Sequence, residues 1–347
     1  MINSLTIRNF KSHRDIAMSD LGRINLILGK NNAGKTAILE ALFLAQMQGS
    51  PKAAFEHLNH LRGIQPNDMV WDSVFHRFHA EEPVAIESVA DGKKSILRIR
   101  AMRGNQIVQS SSGTLSGGGI GSRTDGLLFE YMGADGQKAE VPVTSKVRKG
   151  EAKKSREELN NAPADFVPSR SRFNPDDAAI RFGKLVALKR QQPLVDALKI
   201  IDTRLSKLES ITTETGPELL AEIGEERMMP LTWMGDGMLR ILGVVTSVVL
   251  SSNGIVLVDE IENGLHYSIM QKLWAAVFKA AIDQNVQVFA ATHNDEMIAA
   301  ALDAAKAMKA EDELRAFRVD LVNGSTEVVE YDAKLMAVAR NSEQEIR

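Results

Sequence analysis

The sequence predicts an α/β fold: a mainly parallel sheet flanked by helices, with an antiparallel β-lobe and a short helical lobe inserted. A glycine loop near the N-terminus lies between an apolar strand and a helix, and two further continuous apolar runs near the C-terminus end in polar residues. About 220 residues separate the first of these features from the second, room enough for an inserted lobe.

Residues 24–28, INLIL, are the first apolar strand, and they lead into Gly29-Lys30-Asn31-Asn32-Ala33-Gly34-Lys35-Thr36. The following AILEALFLAQMQ consists of strong helix formers, with Ile38, Leu39, Leu42 and Phe43 at helical spacing. Strand, G-x-x-x-x-G-K-T loop and helix come in the order of a phosphate-binding P-loop. Glycines let backbone N–H groups curl round the phosphates of ATP, the helix N-terminus adds its positive dipole end, Lys35 reaches the β and γ phosphates, and Thr36 ligates Mg2+.

Residues 254–260, GIVLVDE, form a second strand whose unbroken run of aliphatic side chains suits a central position covered on both faces. It ends in Asp259, expected to hold the Mg2+ through water, and Glu260, expected to orient and polarise the attacking water. A third run, Val286 to Ala290, ends in Ala291-Thr292-His293, where His293 has the spacing of a γ-phosphate sensor.

Composition narrows the class. The chain has 347 residues, 44% apolar and 25% charged, as expected of a globular protein of one large or two small domains. Lys plus Arg number 42 against 45 Asp plus Glu, so there is no global field toward nucleic acid or anionic lipid. The absence of cysteine excludes disulfides, thiolate-bound zinc and thiol catalysis, and fits a reducing cytoplasm. The N-terminal MINSLTIRNFK lacks the apolar core of a signal peptide, and the most apolar run, ILGVVTSVVL, is about half a membrane span. A soluble, cytoplasmic protein without a membrane segment is expected.

Taken together, GKNNAGKT, VLVDEIENGLHY and FAATHND resemble the ABC-type ATPases of the RecF/SMC/OLD (overcoming lysogenization defect) group. The opening LTIRNFKSH is similar to theirs too: a first strand, then a Phe10-Lys11-Ser12 turn beside the nucleotide base, which puts Lys11 among the nucleotide-binding residues with Gly29, Asn31, Asn32, Ala33, Gly34, Lys35 and Thr36. The likeness covers about 1–50 and 225–347. It implies an ABC-type P-loop ATPase head whose core comprises 1–50 and 220–347, interrupted by a β-lobe at 51–145 and by a basic linker and helical lobe at 146–219.

In that group ATP is sandwiched between two heads, each P-loop facing the other head's signature motif a short helix upstream of the Asp-Glu strand. The stretch GTLSGGG at 113–119 spells such a signature but lies about 140 residues before Glu260, among Gly and Ser, and reads as a loop between strands. The signature position falls instead on Gly235, Asp236 and Gly237, ahead of the helix MLRILGVVTSVVL. Gly235 stands where the family's serine would be, leaving backbone N–H groups and a helix start for the trans contact, while Asp236 could simply cap the helix. Glu262, Asn263 and His266 match the loop that links the two active sites in relatives; Glu262 and His266 are assigned supporting or interface roles, with capping of the next helix as the alternative. No glutamine is assigned to the relatives' magnesium-sensing position.

Between these ends, AIESVA, SILRIRAM, NQIVQS and AEVPVTS alternate with Gly turns, which predicts a small antiparallel sheet. Residues 176–210 read as helical, with Leu194, Leu198, Ile201, Leu205 and Leu208 on one stripe, too short for a coiled-coil arm. The densest basic run, 146–156, could hold a phosphate backbone of DNA or serve as a solvated linker. His57, His60, His76 and His79 form two H-x-x-H pairs without the frame of a metal site. FRVDLVNGSTEVVEY is a hairpin turning at Asn323-Gly324, followed by a helical tail.

Many OLD relatives carry a nuclease domain after the ATPase, and with only a short helical tail after the hairpin none is expected here. The leading expectation is therefore an ATP-driven switch, a homodimer or higher homo-oligomer that controls a separate effector such as a nuclease or toxin; resemblance to compact, nuclease-free ATPases implies anti-phage defence. The alternative is a RecF-like DNA-binding repair clamp.

Overall fold

The computed structural model describes residues 1–64, 71–103, 106–107, 124–144, 163–169, 175–214, 216–322, 324–342 and 346. GTLSGGG and the basic run at 146–156 lie outside the described residues. Strands β1 (Ile2–Phe10), β2 (His13–Met18) and β3 (Ile24–Leu28) precede helices α1 (Lys35–Gln46) and α2 (Pro51–Leu61). Strands β4 (Val84–Ala90), β5 (Lys93–Arg103), β6 (Gln106–Ile107), β7 (Gly126–Met132), β8 (Lys138–Thr144) and β9 (Ala164–Val167) come next. Helices α3 (Pro175–Ala187) and α4 (Gln191–Lys199) lead to β10 (Lys207–Thr213), β11 (Gly216–Glu222) and β12 (Met229–Pro230). The chain closes with α5 (Asp236–Leu250), β13 (Ile255–Val258), α6 (Tyr267–Asp283), β14 (Gln287–Ala291), α7 (Asp295–Met308), β15 (Leu314–Val322), β16 (Ser325–Asp332) and α8 (Ala333–Asn341).

The core is a six-stranded sheet in the order β16-β15-β3-β14-β13-β9, parallel throughout except for the edge strand β16. Its strands are continuous apolar runs because both faces are covered. Leu26, Val256, Val258, Val288 and Ala290 enter one hydrophobic core with α3 to α8, while Ile27, Ile255, Leu257, Phe289 and Ala291 point the other way, into a second core with α1, α2 and the lobe.

A second, antiparallel sheet runs β2-β1-β4-β5-β7-β8, with β6 on β5. The sequence reading put residues 1–50 with the core and began the lobe at 51, but β1 and β2 belong to this sheet, with Ile7 paired to Ile16 on one side and to Ile86 on the other. Residues 51–61, assigned to the β-lobe, form α2 instead. Such long-range pairing leaves no local trace in a sequence.

The helical stripe read over 176–210 breaks at α4. Asp202 Oδ1 accepts from Arg204 N–H at 3.0 Å, an Asx-type turn that ends the helical path, and Leu208 lies on a strand of the β10-β11-β12 sheet. In the final hairpin Val322 pairs with Ser325, and Asn323, expected in its turn, lies outside the described residues. Asp332 then caps α8 by accepting from Leu335 N–H at 2.7 Å.

Candidate active site

The strands β3, β13 and β14 all point their C-terminal ends at one edge of the parallel sheet, where loops of α/β folds build their sites. The loop after β3 bends at Gly29 (φ 137°), where a Cβ would stand 2.4 Å from the carbonyl oxygen of Val319. It re-enters a helix at Gly34 (φ 96°), the N-cap of α1. Asn31 and Asn32 are exposed on its outer side, and Ala33 is buried beneath.

Lys35 folds back over the loop, its Nζ donating to the carbonyls of Gly29 (2.7 Å) and Lys30 (3.0 Å). Burial lowers its pKa, and Glu262, Asp259 and Glu260 oppose that shift through their charges. Thr36 Oγ1 donates to the carboxylate of Asp259, 3.1 Å from each oxygen. Burial pushes the Asp259 carboxyl above the usual aspartate range, helped by Glu260 and Glu40 and opposed by the Thr36 hydrogen bond and Lys35. A hydroxyl beside a buried carboxylate that needs a cation is a hard-oxygen donor pair, and it fits Mg2+ held jointly with phosphate oxygens.

Glu260 breaks from the strand in a left-handed conformation (φ 44°), between Asp259, whose N–H still bonds Val167, and Ile261, whose N–H rejoins the sheet at Ala291. Its carboxylate accepts from Asn263 Nδ2 at 2.7 Å, and Asn263 also donates to the Ser169 carbonyl at 3.0 Å. Arg240 of α5 donates to the carbonyls of Pro168 (3.1 Å), Asp259 (3.0 Å) and Glu260 (3.1 Å). A strained backbone is thus over-determined from three elements.

Glu262 is buried; its Oε1 accepts from the backbone N–H of His293 at 3.1 Å and lies 3.1 Å from that residue's Nδ1. It supports His293 from within the chain. His266 takes the capping alternative, accepting from Ser268 N–H at 3.4 Å at the start of α6. Lys11 is drawn to α1, where it pairs with Glu40, which Arg62 also holds at 2.7 and 2.9 Å. The P-loop residues, Asp259, Glu260, Glu262, Asn263 and His293 therefore form one connected cluster. Gly235 (φ 91°), Asp236 and Gly237 begin α5, beside an exposed Trp233. Among the described residues no group of three or more His, Cys, Asp or Glu side chains converges as a metal site.

Sequence reasoning missed Arg240, the one charged side chain in MLRILGVVTSVVL; a lone cation in a buried helix was the available signal. It also missed β9, whose four residues join the core sheet beside β13 rather than a linker.

A family model described as "AAA domain, putative AbiEii toxin, Type IV TA system" matches residues 24–299, from the start of β3 into α7. The chain belongs to this AAA-domain family. It is 24% identical to an "ATP/GTP phosphatase" of Helicobacter pylori over 86% of each chain. It also superposes on the Smc head domain of Pyrococcus furiosus, solved with an extended coiled coil and bound to the C-terminal domain of ScpA, with a TM-score of 0.52 at 12% identity over 99% of this chain and 100% of that one. The fold is that of a P-loop ATPase head, and the chain is an AAA-family ATPase. No helix among the described residues is long and apolar enough to cross a membrane.

Proposed function

We propose that this chain is a Mg2+-dependent ATP-hydrolysing switch that works as a homodimer or higher homo-oligomer and controls a separate effector protein. The observation that carries the reading is the Thr36–Asp259 contact at 3.1 Å, which joins the phosphate loop to the acidic strand beside Lys35. Lys35 and the loop N–H groups bind the β and γ phosphates, and Thr36 and Asp259 hold the cation. Mg2+ supplies charge neutralisation at the phosphates. Glu260, held by Asn263, orients the attacking water and takes its proton, and His293, braced by Glu262, lies at the γ-phosphate end.

The exposed start of α5 supports closure by a second copy: Gly235, Asp236 and Gly237 offer N–H groups that a partner's nucleotide could complete. Asn263 and His266 lie on the loop that would face that partner. Likeness to compact, nuclease-free OLD-group ATPases favours a role in bacterial anti-phage defence, and the cysteine-free composition favours the cytoplasm.

The test is steady-state ATP hydrolysis by wild type and Glu260→Gln with and without Mg2+, alongside sedimentation with ATP. Hydrolysis that needs Mg2+ and Glu260, with ATP-dependent association of the Gln variant, is expected; equal turnover in the two proteins sinks the role of Glu260. Salt-sensitive stimulation by duplex DNA would move the reading to a RecF-like clamp.

A further inference from the structure

The turn between β1 and β2 presses against the phosphate loop from the antiparallel lobe. His13, the first residue of β2, is completely buried, and both its ring nitrogens are engaged. Nε2 lies 3.0 Å from the carbonyl oxygen of Gly34, and Nδ1 lies 3.0 Å from the hydroxyl of Thr326 on β16. A carbonyl can only accept, so Nε2 carries the hydrogen; Nδ1 is then the acceptor, and the Thr326 hydroxyl donates to it. One tautomer of the neutral ring satisfies both contacts. Burial lowers the pKa of the ring and nearby His76 acts in the same direction, while the bond to Gly34 opposes them.

The oxygen that His13 holds is the N-cap carbonyl of α1. It also accepts from the N–H groups of Ala37 (2.9 Å) and Ile38 (3.3 Å), so it sits where the loop becomes helix. The approach is close: a Cβ on Gly34 would lie 2.4 Å from Ser12 Oγ and 2.5 Å from His13 Cε1. Two residues before His13, Lys11 pairs with Glu40, more than a turn further along α1. The β1–β2 turn therefore grips α1 at two levels, and Thr326 ties that grip to the C-terminal hairpin. A leucine would fill the same buried volume without fixing any carbonyl.

We infer that His13 is a positioning residue for nucleotide binding: from the lobe it fixes the Gly34 carbonyl and so aims the N–H groups at the start of α1 toward the phosphates. This rests on the ATPase reading, and it gives the lobe a part in binding ATP that runs through the Gly34 carbonyl.

The experiment measures ATP affinity with a fluorescent ATP analogue and Mg2+, KM and kcat for ATP, and thermal melting for wild type, His13→Leu, His13→Gln and Thr326→Val. His13→Leu should weaken ATP binding about tenfold and raise KM in parallel, with kcat changing less than about threefold. Gln carries an N–H that reaches the same carbonyl and should recover most of the affinity. Thr326→Val leaves the buried Nδ1 without its donor and the ring less firmly held against the Gly34 carbonyl, and should lower affinity a few-fold. A folded Leu variant with wild-type affinity, or a Gln variant no better than Leu, overturns the assignment. Should His13→Leu fail to fold, Thr326→Val decides, and wild-type affinity in that variant overturns it. A wild type that binds no ATP would overturn the ATPase reading itself.

Discussion

The two ends of α5's first turns have opposite surroundings. At Arg240 the helix is buried, and one guanidinium fastens the carbonyls of Pro168, Asp259 and Glu260. Only a turn earlier, Gly235 is exposed in a left-handed conformation, and Trp233 beside it is 74% exposed. The phosphate-loop side is thus assembled within one chain, by bonds that hold Glu260 in place, whereas the start of α5, the proposed signature, is presented to solvent at Gly235. This difference between the two ends of the helix sorts the expected effects of mutation.

The largest effects belong to the buried side. Lys35→Ala should weaken ATP binding by about 100-fold or more, because a cation with charge-assisted bonds to phosphate is removed; calorimetric titration showing near-wild-type affinity would end the comparison at once. Glu260→Gln should keep that affinity and lower turnover by roughly 100-fold or more, read by single-turnover hydrolysis. Asn263→Ala removes the donor 2.7 Å from the Glu260 carboxylate without touching the strand. Its turnover should fall several-fold with binding retained; an unchanged rate would show that Arg240 and the backbone suffice to hold Glu260.

On the exposed side, Trp233→Ala should leave folding stability within about 0.5 kcal/mol, as expected of a surface residue, yet weaken ATP-dependent self-association in sedimentation. Loss of stability instead of association would erase the contrast between the two ends.

The smallest effect is a stability change with a defined sign. The Asp259 carboxyl is raised by burial, so the folded state holds its proton longer than the unfolded state and stability falls as pH rises from the usual aspartate value through the raised one. Above that window the charge is a fixed penalty. Asp259→Asn removes it: in EDTA at neutral pH the variant should melt roughly 1–3 °C higher than wild type, and in Mg2+ it should lose hydrolysis. A lower melting temperature would mean that the Thr36–Asp259 bond outweighs the burial of the charge.

Much of this site was readable as text because its chemistry is local. Gly29 to Thr36 must be contiguous for their N–H groups to surround phosphate, and Asp259 and Glu260 follow their strand directly. Glu262 and His266 were readable as a pair but not separable: burial put the first against His293, while exposure left the second as a helix cap. Arg240 and His13 act on carbonyls far away in the chain, and carbonyls are the same in every residue, so their partners carry no letter in the sequence.

The sequence by itself determined the phosphate loop, the acidic strand end, the His293 strand and the class of fold, since each rests on periodicity or on residues a few positions apart. Tertiary structure alone decided that β1 and β2 pair with β4 in the lobe, that β9 completes the core sheet, and that the strained Glu260 is held from α5 and from the loop after β13. Those outcomes depend on which distant strands pair and which donors meet which carbonyls. Long-range backbone pairing and burial set them, and neither has a local period to read.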